Sequence, residues 1–255
     1  MRCLEWIALL GRLVSELWPV LLLLLLWQAW VSFAGYNSIV LVPPGAVASD
    51  LVHFPRAYLL PAGHTLAFAL AGLVLGMAAG VALALAGWLS ELLGGMATPL
   101  ALLLSSTPVV CLIPLIARLF GYGSRTELIA IGLMTLFPAF VYGSTGLRQM
   151  PARSRDVLQV LHASRWRSLR LLALPAALPA LAAALRVGAT LAVLVALVAE
   201  YLMQTGGLGT LFAVTLQQFH LARALGASVV AMVLSASLFE ATHAIERRVS
   251  ALYRG

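Results

Sequence analysis

The sequence predicts an all-α integral membrane protein of about six transmembrane helices with a long basic cytoplasmic loop, and three observations carry that prediction. Hydrophobic residues fill 62% of the 255 positions and charged residues 10%, with mean hydropathy +1.00; soluble domains hold roughly 45–50% and about 25%. Six apolar segments stand out, at about 17–34, 65–89, 99–120, 128–147, 178–203 and 225–245. Each suits a hydrocarbon core of about 30 Å, which takes about 20 helical residues to cross. The third observation is the sorting of arginine. With the N-terminus inside, Arg2, Arg12, Arg148, Arg153, Arg155, Arg165, Arg167, Arg170, Arg247, Arg248 and Arg254 fall on the cytoplasmic side. Only Arg56, Arg118, Arg125, Arg186 and Arg223 fall opposite or at span ends. The positive-inside rule therefore places both termini in the cytoplasm, as six spans require.

The first apolar segment follows about sixteen residues that include Glu5 and Glu16, and Trp27 and Trp30 close it. Ser32-Phe33-Ala34 has the form of a cleavage site, but the acidic lead-in and the interfacial tryptophans favour a retained span. Residues 35–63 form an external connector rich in turn formers, with Pro43-Pro44-Gly45, Pro55 and Pro61; its stretch 47–60 has the pattern of a short amphipathic helix. The second span carries Gly72, Gly76, Gly80 and Ala84 at intervals of four, a flat stripe that lets another helix approach closely. Cys3 and Cys111 are too few for a disulfide framework and read as small hydrophobes. Between the fourth and fifth spans, the loop over 148–174 holds six arginines. Within it Asp156, Val157, Val160 and Leu161 share a helical face, and Leu169 to Leu172 extend an apolar stripe beyond Trp166. Such a loop is either a positive-inside connector or a docking surface for a soluble partner.

Ionisable residues inside spans are functional candidates by default. Glu200, near the end of the fifth span, reads either as a gate or pathway residue together with Gln204, or as a structural partner of Arg186 or Arg223. Arg186 lies about four turns earlier on the same helix and cannot touch it within that helix. Arg118, Arg125 and Arg223 read as snorkelling interfacial residues or as attractors of an anionic cargo. Glu240 and His243 read as interfacial, and His162 as a packing residue or a pH-sensitive one.

All sixteen basic residues are arginine. Without lysine no G-x-x-x-x-G-K-[ST] loop exists, so any nucleotide hydrolysis belongs to another chain. The five histidines (His53, His64, His162, His220, His243) are scattered, with no H-E-x-x-H, C-x-x-C or G-x-S-x-G pattern, so neither a metal site nor a nucleophile elbow is expected. Ser105-Ser106-Thr107 and Ser144-Thr145 fit helix packing better than an intramembrane nucleophile. The basic balance follows from topology, and no nucleic-acid partner is expected.

The 148–174 loop resembles the cytoplasmic signature loop of binding-protein-dependent ABC importer permeases. Asp156 stands where that family has Glu, Ala163-Ser164-Arg165-Trp166 follows, and Leu174-Pro175-Ala176-Ala177-Leu178-Pro179 closes it. Leu185-Arg186-Val187-Gly188, Ala199-Glu200 and Gly206-Gly207-Leu208-Gly209 resemble later elements of the sulfonate/nitrate/taurine branch. Pro114-Leu115, Phe120-Gly121-Tyr122-Gly123, Phe137-Pro138 and Thr65-Leu66 resemble earlier ones. The departures are His162 at the loop's glycine position, Val157 and Leu158 at its two small positions, Phe68 where the branch has Arg, and Thr126-Glu127 where it has Ser-Lys.

The resemblance implies one transmembrane permease domain over 1–255, its family-type core at about 65–248. The loop at 148–174 would couple to an ATPase through Asp156, Val157, Val160, Leu161, His162, Ala163, Ser164, Arg165 and Trp166. It implies a multi-pass protein of the bacterial cytoplasmic (inner) membrane, with ABC ATPase subunits, a second permease copy or paralogue and an external solute-binding protein as partners. No cofactor is expected in this chain, because ATP and Mg would be bound by the ATPase. The implied cargo is a small anionic nutrient of sulfonate, taurine or nitrate type, carried by ATP-driven alternating access. A neutral heterocycle such as a thiamine-precursor pyrimidine is the alternative, and an intramembrane hydrolase is the alternative of a different class.

Overall fold

Nine helices make up the regular structure of the residues that the computed structural model describes, 2–35, 41–149 and 164–253. They are α1 (Arg2–Ala34), α2 (Pro44–His53), α3 (Pro55–Leu89), α4 (Glu91–Ser106), α5 (Val109–Phe120), α6 (Ser124–Arg148), α7 (Arg165–Met203), α8 (Gly207–Gln217) and α9 (Leu221–Leu252). Helices α3, α6, α7 and α9 are long and apolar enough to cross a membrane, which agrees with the predicted all-helical class.

Several predicted boundaries move, each for a local reason. The segment expected at 99–120 is two helices, α4 and α5, because Pro108 stands between them at φ −59°, ψ 128°. Proline donates no N–H and disfavours helical backbone in the residue before it. The surface helix expected within 47–60 is α2 alone. Phe54, at φ −125° and ψ 51°, breaks the chain, and Pro55 then starts α3 at a first-turn position that needs no N–H. Helix α7 starts earlier than expected, at Arg165, and widens to a π-helical turn over Leu169–Ala173. Two residues on, Pro175 cannot donate to the carbonyl of Leu171 and would crowd it; the wider turn relieves that clash. Helix α8 was not foreseen.

The centre of the molecule is α3 against α6 against α7, with α9 beyond α7. The Gly72, Gly76, Gly80 stripe of α3 lies directly on α6. A Cβ at Gly76 would strike Thr135 Oγ1 and the Gly132 carbonyl, and one at Gly80 would lie 2.6 Å from Ala139 Cβ. Thr135 Oγ1 reaches the Gly72 carbonyl at 3.3 Å across this contact. Ile113, Ile131, Val193 and Val195 belong to the same core and are essentially inaccessible. The outer faces are apolar too: Leu23 and Leu25 on α1, Val74 on α3, Leu119 on α5 and Met232 on α9 are exposed, as suits helices surrounded by lipid or by other membrane subunits.

Candidate functional site

The site forms where α7 ends and turns into α8. Gln204 ends α7 in the left-handed conformation (φ 52°, ψ 44°), and its N–H donates to the Glu200 carbonyl at 2.8 Å. Gly206 (φ 114°) and Gly207 (φ 78°) then reverse the chain, in backbone that only glycine adopts cheaply. A new helix leaves N–H groups of its first turn without intrahelical partners; Gly206 N–H at the N-cap donates to Thr210 Oγ1 at 3.0 Å, but glycine there offers no side chain to the N–H groups that follow. Two side chains from elsewhere serve them. Leu208 N–H donates to Thr65 Oγ1 of α3 at 2.9 Å, and Gly209 N–H donates to Glu200 Oε2 of α7 at 2.9 Å. Thr65 Oγ1 in turn donates to Glu200 Oε2 at 2.9 Å. A carboxylate at a helix N-terminus is also favoured by the helix dipole. Glu200 is thus a fully buried tertiary cap of α8, and a Cβ on Gly207 would fall onto its carboxylate.

Two further residues converge there. Glu127 lies in the first turn of α6, with no exposed surface. Its Oε2 accepts from Thr205 Oγ1 at 2.7 Å, while its buried Oε1 has no hydrogen-bond partner among the described residues. His64 of α3 points Nδ1 at Glu200 Oε1, 3.4 Å away. Its ring is fixed by stacking on Phe68, centroids 4.4 Å apart, and a Cβ on Gly206 would lie 3.2 Å from its Nε2. One nitrogen or oxygen from each of His64, Glu127 and Glu200 lies within 4.8 Å of the others. Two carboxylate charges at such separation repel by about 3 kcal/mol even at an effective dielectric of about 20. The arrangement therefore calls for a positive charge, on the histidine, on a shared proton or on an ion.

The partners expected for Glu200 are occupied elsewhere. Arg186 Nε lies 2.8 Å from Glu246 Oε2 and its guanidinium is 5.5 Å from the Phe239 ring centroid. Arg223 grips Asp50 with both forks, Nε to Oδ2 at 3.2 Å and Nη2 to Oδ1 at 3.1 Å, and lies over Phe54 at 4.7 Å. Tyr58 Oη also donates to Asp50. The expectation that Glu200 pairs with Arg186 or Arg223 is thereby corrected: each arginine lies against a carboxylate nearer its own level of the bundle. Burial works to raise the Asp50 pKa, but the hydrogen bonds from Arg223 and Tyr58 and the arginine's charge outweigh it, leaving Asp50 below the usual carboxylate value.

Of the residues expected to couple to an ATPase, Asp156, Val157, Val160, Leu161, His162 and Ala163 lie outside the described residues. Ser164, Arg165 and Trp166 lie at the start of α7. Ser164 Oγ accepts from Arg167 N–H at 3.3 Å as its N-cap. Arg165 Nη1 donates to the Leu89 carbonyl at 3.1 Å, capping the end of α3, and Trp166 is exposed. Gln204 is exposed beside the buried Glu200. Along α7, α8 and α9 runs an apolar groove of about 870 Å³, whose walls include Val193, Leu197, Tyr201, Phe212, Met232 and Phe239.

Sequence reading singled out Glu200 but not its neighbours. His64, Glu127, Thr65 and Thr205 carry no motif spacing with it. The available signal was Glu127, an acidic residue at the start of an apolar span.

Residues 72–251 match the model of a family described as "Binding-protein-dependent transport system inner membrane component". A probable ABC transporter permease protein of Haemophilus influenzae is 32% identical over 202 residues, 78% of this chain and 82% of that protein. The riboflavin transport system permease protein of Chloroflexus aurantiacus is 31% identical, covering 76% of each chain. The taurine transport system permease protein of Escherichia coli is 26% identical over 82% of this chain and 78% of its own. Among solved structures, an inward-facing MetNI methionine ABC transporter chain superposes with TM-score 0.62 at 18% identity, covering 72% of this chain and 92% of that one.

Proposed function

The chain belongs to the family of binding-protein-dependent transport system inner membrane components, and on that premise we propose that it is the permease subunit of an ABC importer, with both termini in the cytoplasm. The observation that carries this reading is the family match over 72–251, and the spanning helices fit it. A partner ATPase hydrolyses ATP, a second copy or a paralogue completes the pathway, and an external solute-binding protein delivers cargo.

Alternating access is a population shift, and a ligand moves the equilibrium only by binding its two states with different affinity. ATP bound between two ATPase subunits draws the 148–174 loops together. The pull reaches the bundle through Arg165, which ties the loop's exit to the end of α3. At the opposite end, Glu200 and Gln204 act as a gate element. Glu200 holds the turn that carries Gln204, so a change in its bonds moves the exposed Gln204 at the mouth.

Two observations favour a neutral heterocyclic cargo over a sulfonate. The groove is apolar with aromatic walls, and no arginine lines it among the described residues. Arg223 and Arg186 are held by carboxylates, and Arg118 and Arg125, exposed at the end of α5 and the start of α6, lie outside the groove. The riboflavin and formylaminopyrimidine transport permeases among the relatives, at 31% and 26% identity, agree with this reading. The taurine relative, at 26%, supports the anionic one.

Purification in mild detergent tests the assembly. Co-purification of a P-loop ATPase with one or two permease types is the expected result. A lone chain, in a preparation that keeps a known ABC complex intact, refutes it. Uptake by whole cells of riboflavin, pyrimidines and taurine, compared with a strain lacking this chain, then decides the cargo.

A further inference from the structure

We propose that His64, Glu127 and Glu200 form a binding site for one divalent transition-metal ion of the zinc or manganese type, a reading that departs from the sequence expectation of no metal in this chain and stands independently of the transport reading. The three residues come from α3, α6 and α7, and one ligand atom from each lies within 4.8 Å of the others. The outer oxygens are already taken: Glu200 Oε2 accepts from Gly209 N–H and Thr65 Oγ1, and Glu127 Oε2 accepts from Thr205 Oγ1. Among the described residues, Oε1 of Glu200 has His64 Nδ1 as its one polar neighbour within 3.5 Å, and Oε1 of Glu127 is buried with no partner. Carboxylates oriented through one oxygen by hydrogen bonds, with the other left open, are what outer-shell support of metal ligands looks like.

The distance between His64 and Glu200 suits a shared ion better than a direct hydrogen bond. His64 Nδ1 and Glu200 Oε1 are 3.4 Å apart, longer than an ordinary N–H···O bond of about 2.7–3.2 Å. It is about the edge of a tetrahedron whose ligands lie about 2.0–2.2 Å from its centre. The ligand atoms stand up to 4.8 Å apart, so binding an ion requires the Glu127 side chain to close by about 1 Å. Imidazole with two carboxylates suits zinc or manganese and disfavours calcium or magnesium, which take oxygen alone. Both carboxylates sit in or against the first turn of a helix, Glu127 in α6 and Glu200 at α8. A dication would neutralise both and would pin three spans and the Gly206–Gly209 turn together.

The test uses the full chain in detergent, stripped with a chelator and titrated with Zn²⁺ and, separately, Mn²⁺. Bound metal is counted after desalting, and the unfolding midpoint is followed in parallel. One ion per chain is expected, with a midpoint raised by several degrees. His64→Gln and Glu127→Gln should each weaken binding at least tenfold, and Thr205→Val, which leaves every ligand in place, by about tenfold. Wild-type protein that retains neither metal overturns the proposal, as does binding that Glu127→Gln leaves unchanged, which would put the ion on a surface histidine. If neither ligand variant folds, unchanged affinity in Thr205→Val overturns it. A midpoint that responds to pH but to neither metal also overturns it and identifies a shared proton instead.

Discussion

Gly207→Ala tests whether the Glu200 carboxylate is held where the structure places it, and Gly121→Ala supplies the matching control. The two glycines have similar φ, 78° and 87°, but a Cβ at Gly121 meets nothing within 4 Å, whereas one at Gly207 lands on the Glu200 carboxylate. Backbone strain alone costs about 1–3 kcal/mol at either position. At Gly207 the carboxylate must also swing away from Gly209 N–H and Thr65 Oγ1. Hydrogen bonds to a charged group are worth about 1.5–3 kcal/mol each, so the total is about 4–9 kcal/mol. At about 2–4 °C per kcal/mol for a chain near this size, Gly121→Ala should lower the midpoint by about 2–12 °C and Gly207→Ala by about 8–36 °C. Thermal unfolding in detergent, read by thiol-independent fluorescence, measures both. In the Glu200→Ala background, Gly207→Ala should cost only the strain, because the collision and the bonds are both gone. Equal losses at Gly121 and Gly207, or no relief in the double variant, would refute the reasoning.

Gly76→Ala should cost about 3 kcal/mol or more, since its Cβ would strike Thr135 and the Gly132 carbonyl, whereas Gly95→Ala, open on all sides in α4, should be neutral or stabilising by about 1 kcal/mol; melting both variants checks this. Because the Asp50 pKa is held below its unfolded value by Arg223 and Tyr58, the pair stabilises the protein above the usual carboxylate range, and that contribution is lost as pH falls through the lowered value. Wild type should therefore outlast Asp50→Asn by about 1 kcal/mol at neutral pH, and the gap should close in acid. A gap that grows as pH falls would reverse the assignment. Asp156→Arg should uncouple ATP hydrolysis from transport without changing the midpoint; normal transport would show that the loop does not couple. Arg165→Ala, which frees the Leu89 carbonyl, should lower transport per ATP hydrolysed while shifting the midpoint by no more than a few degrees, and an unchanged ratio would remove Arg165 from the path.

What the sequence determined by itself is what depends on each residue's own solvent preference and on near neighbours along the chain. Partition into a membrane follows from hydropathy, so the helical class could be read directly. The stripe of Gly72, Gly76 and Gly80 announced a close helix contact through its spacing alone, and the connector prolines announced a break in the chain. Pro108 was also legible in principle, but the apolar run continuing on both sides hid the break at Thr107-Pro108. The identity of each partner was not legible. That α6 is the helix on the glycine stripe, that Arg186 meets Glu246, and that Arg223 meets Asp50 all depend on how rigid helices register against one another. The same holds for the candidate site. Glu200 stood out as an ionisable residue in an apolar span, but its partners His64, Thr65 and Glu127 sit far away in sequence on α3 and α6. Only the close approach of those helices and the glycine turn before α8 bring their side chains within bonding distance. Hydropathy decides which segments leave water, whereas the packing of small residues and the unmet N–H groups of a helix end decide which side chains then meet.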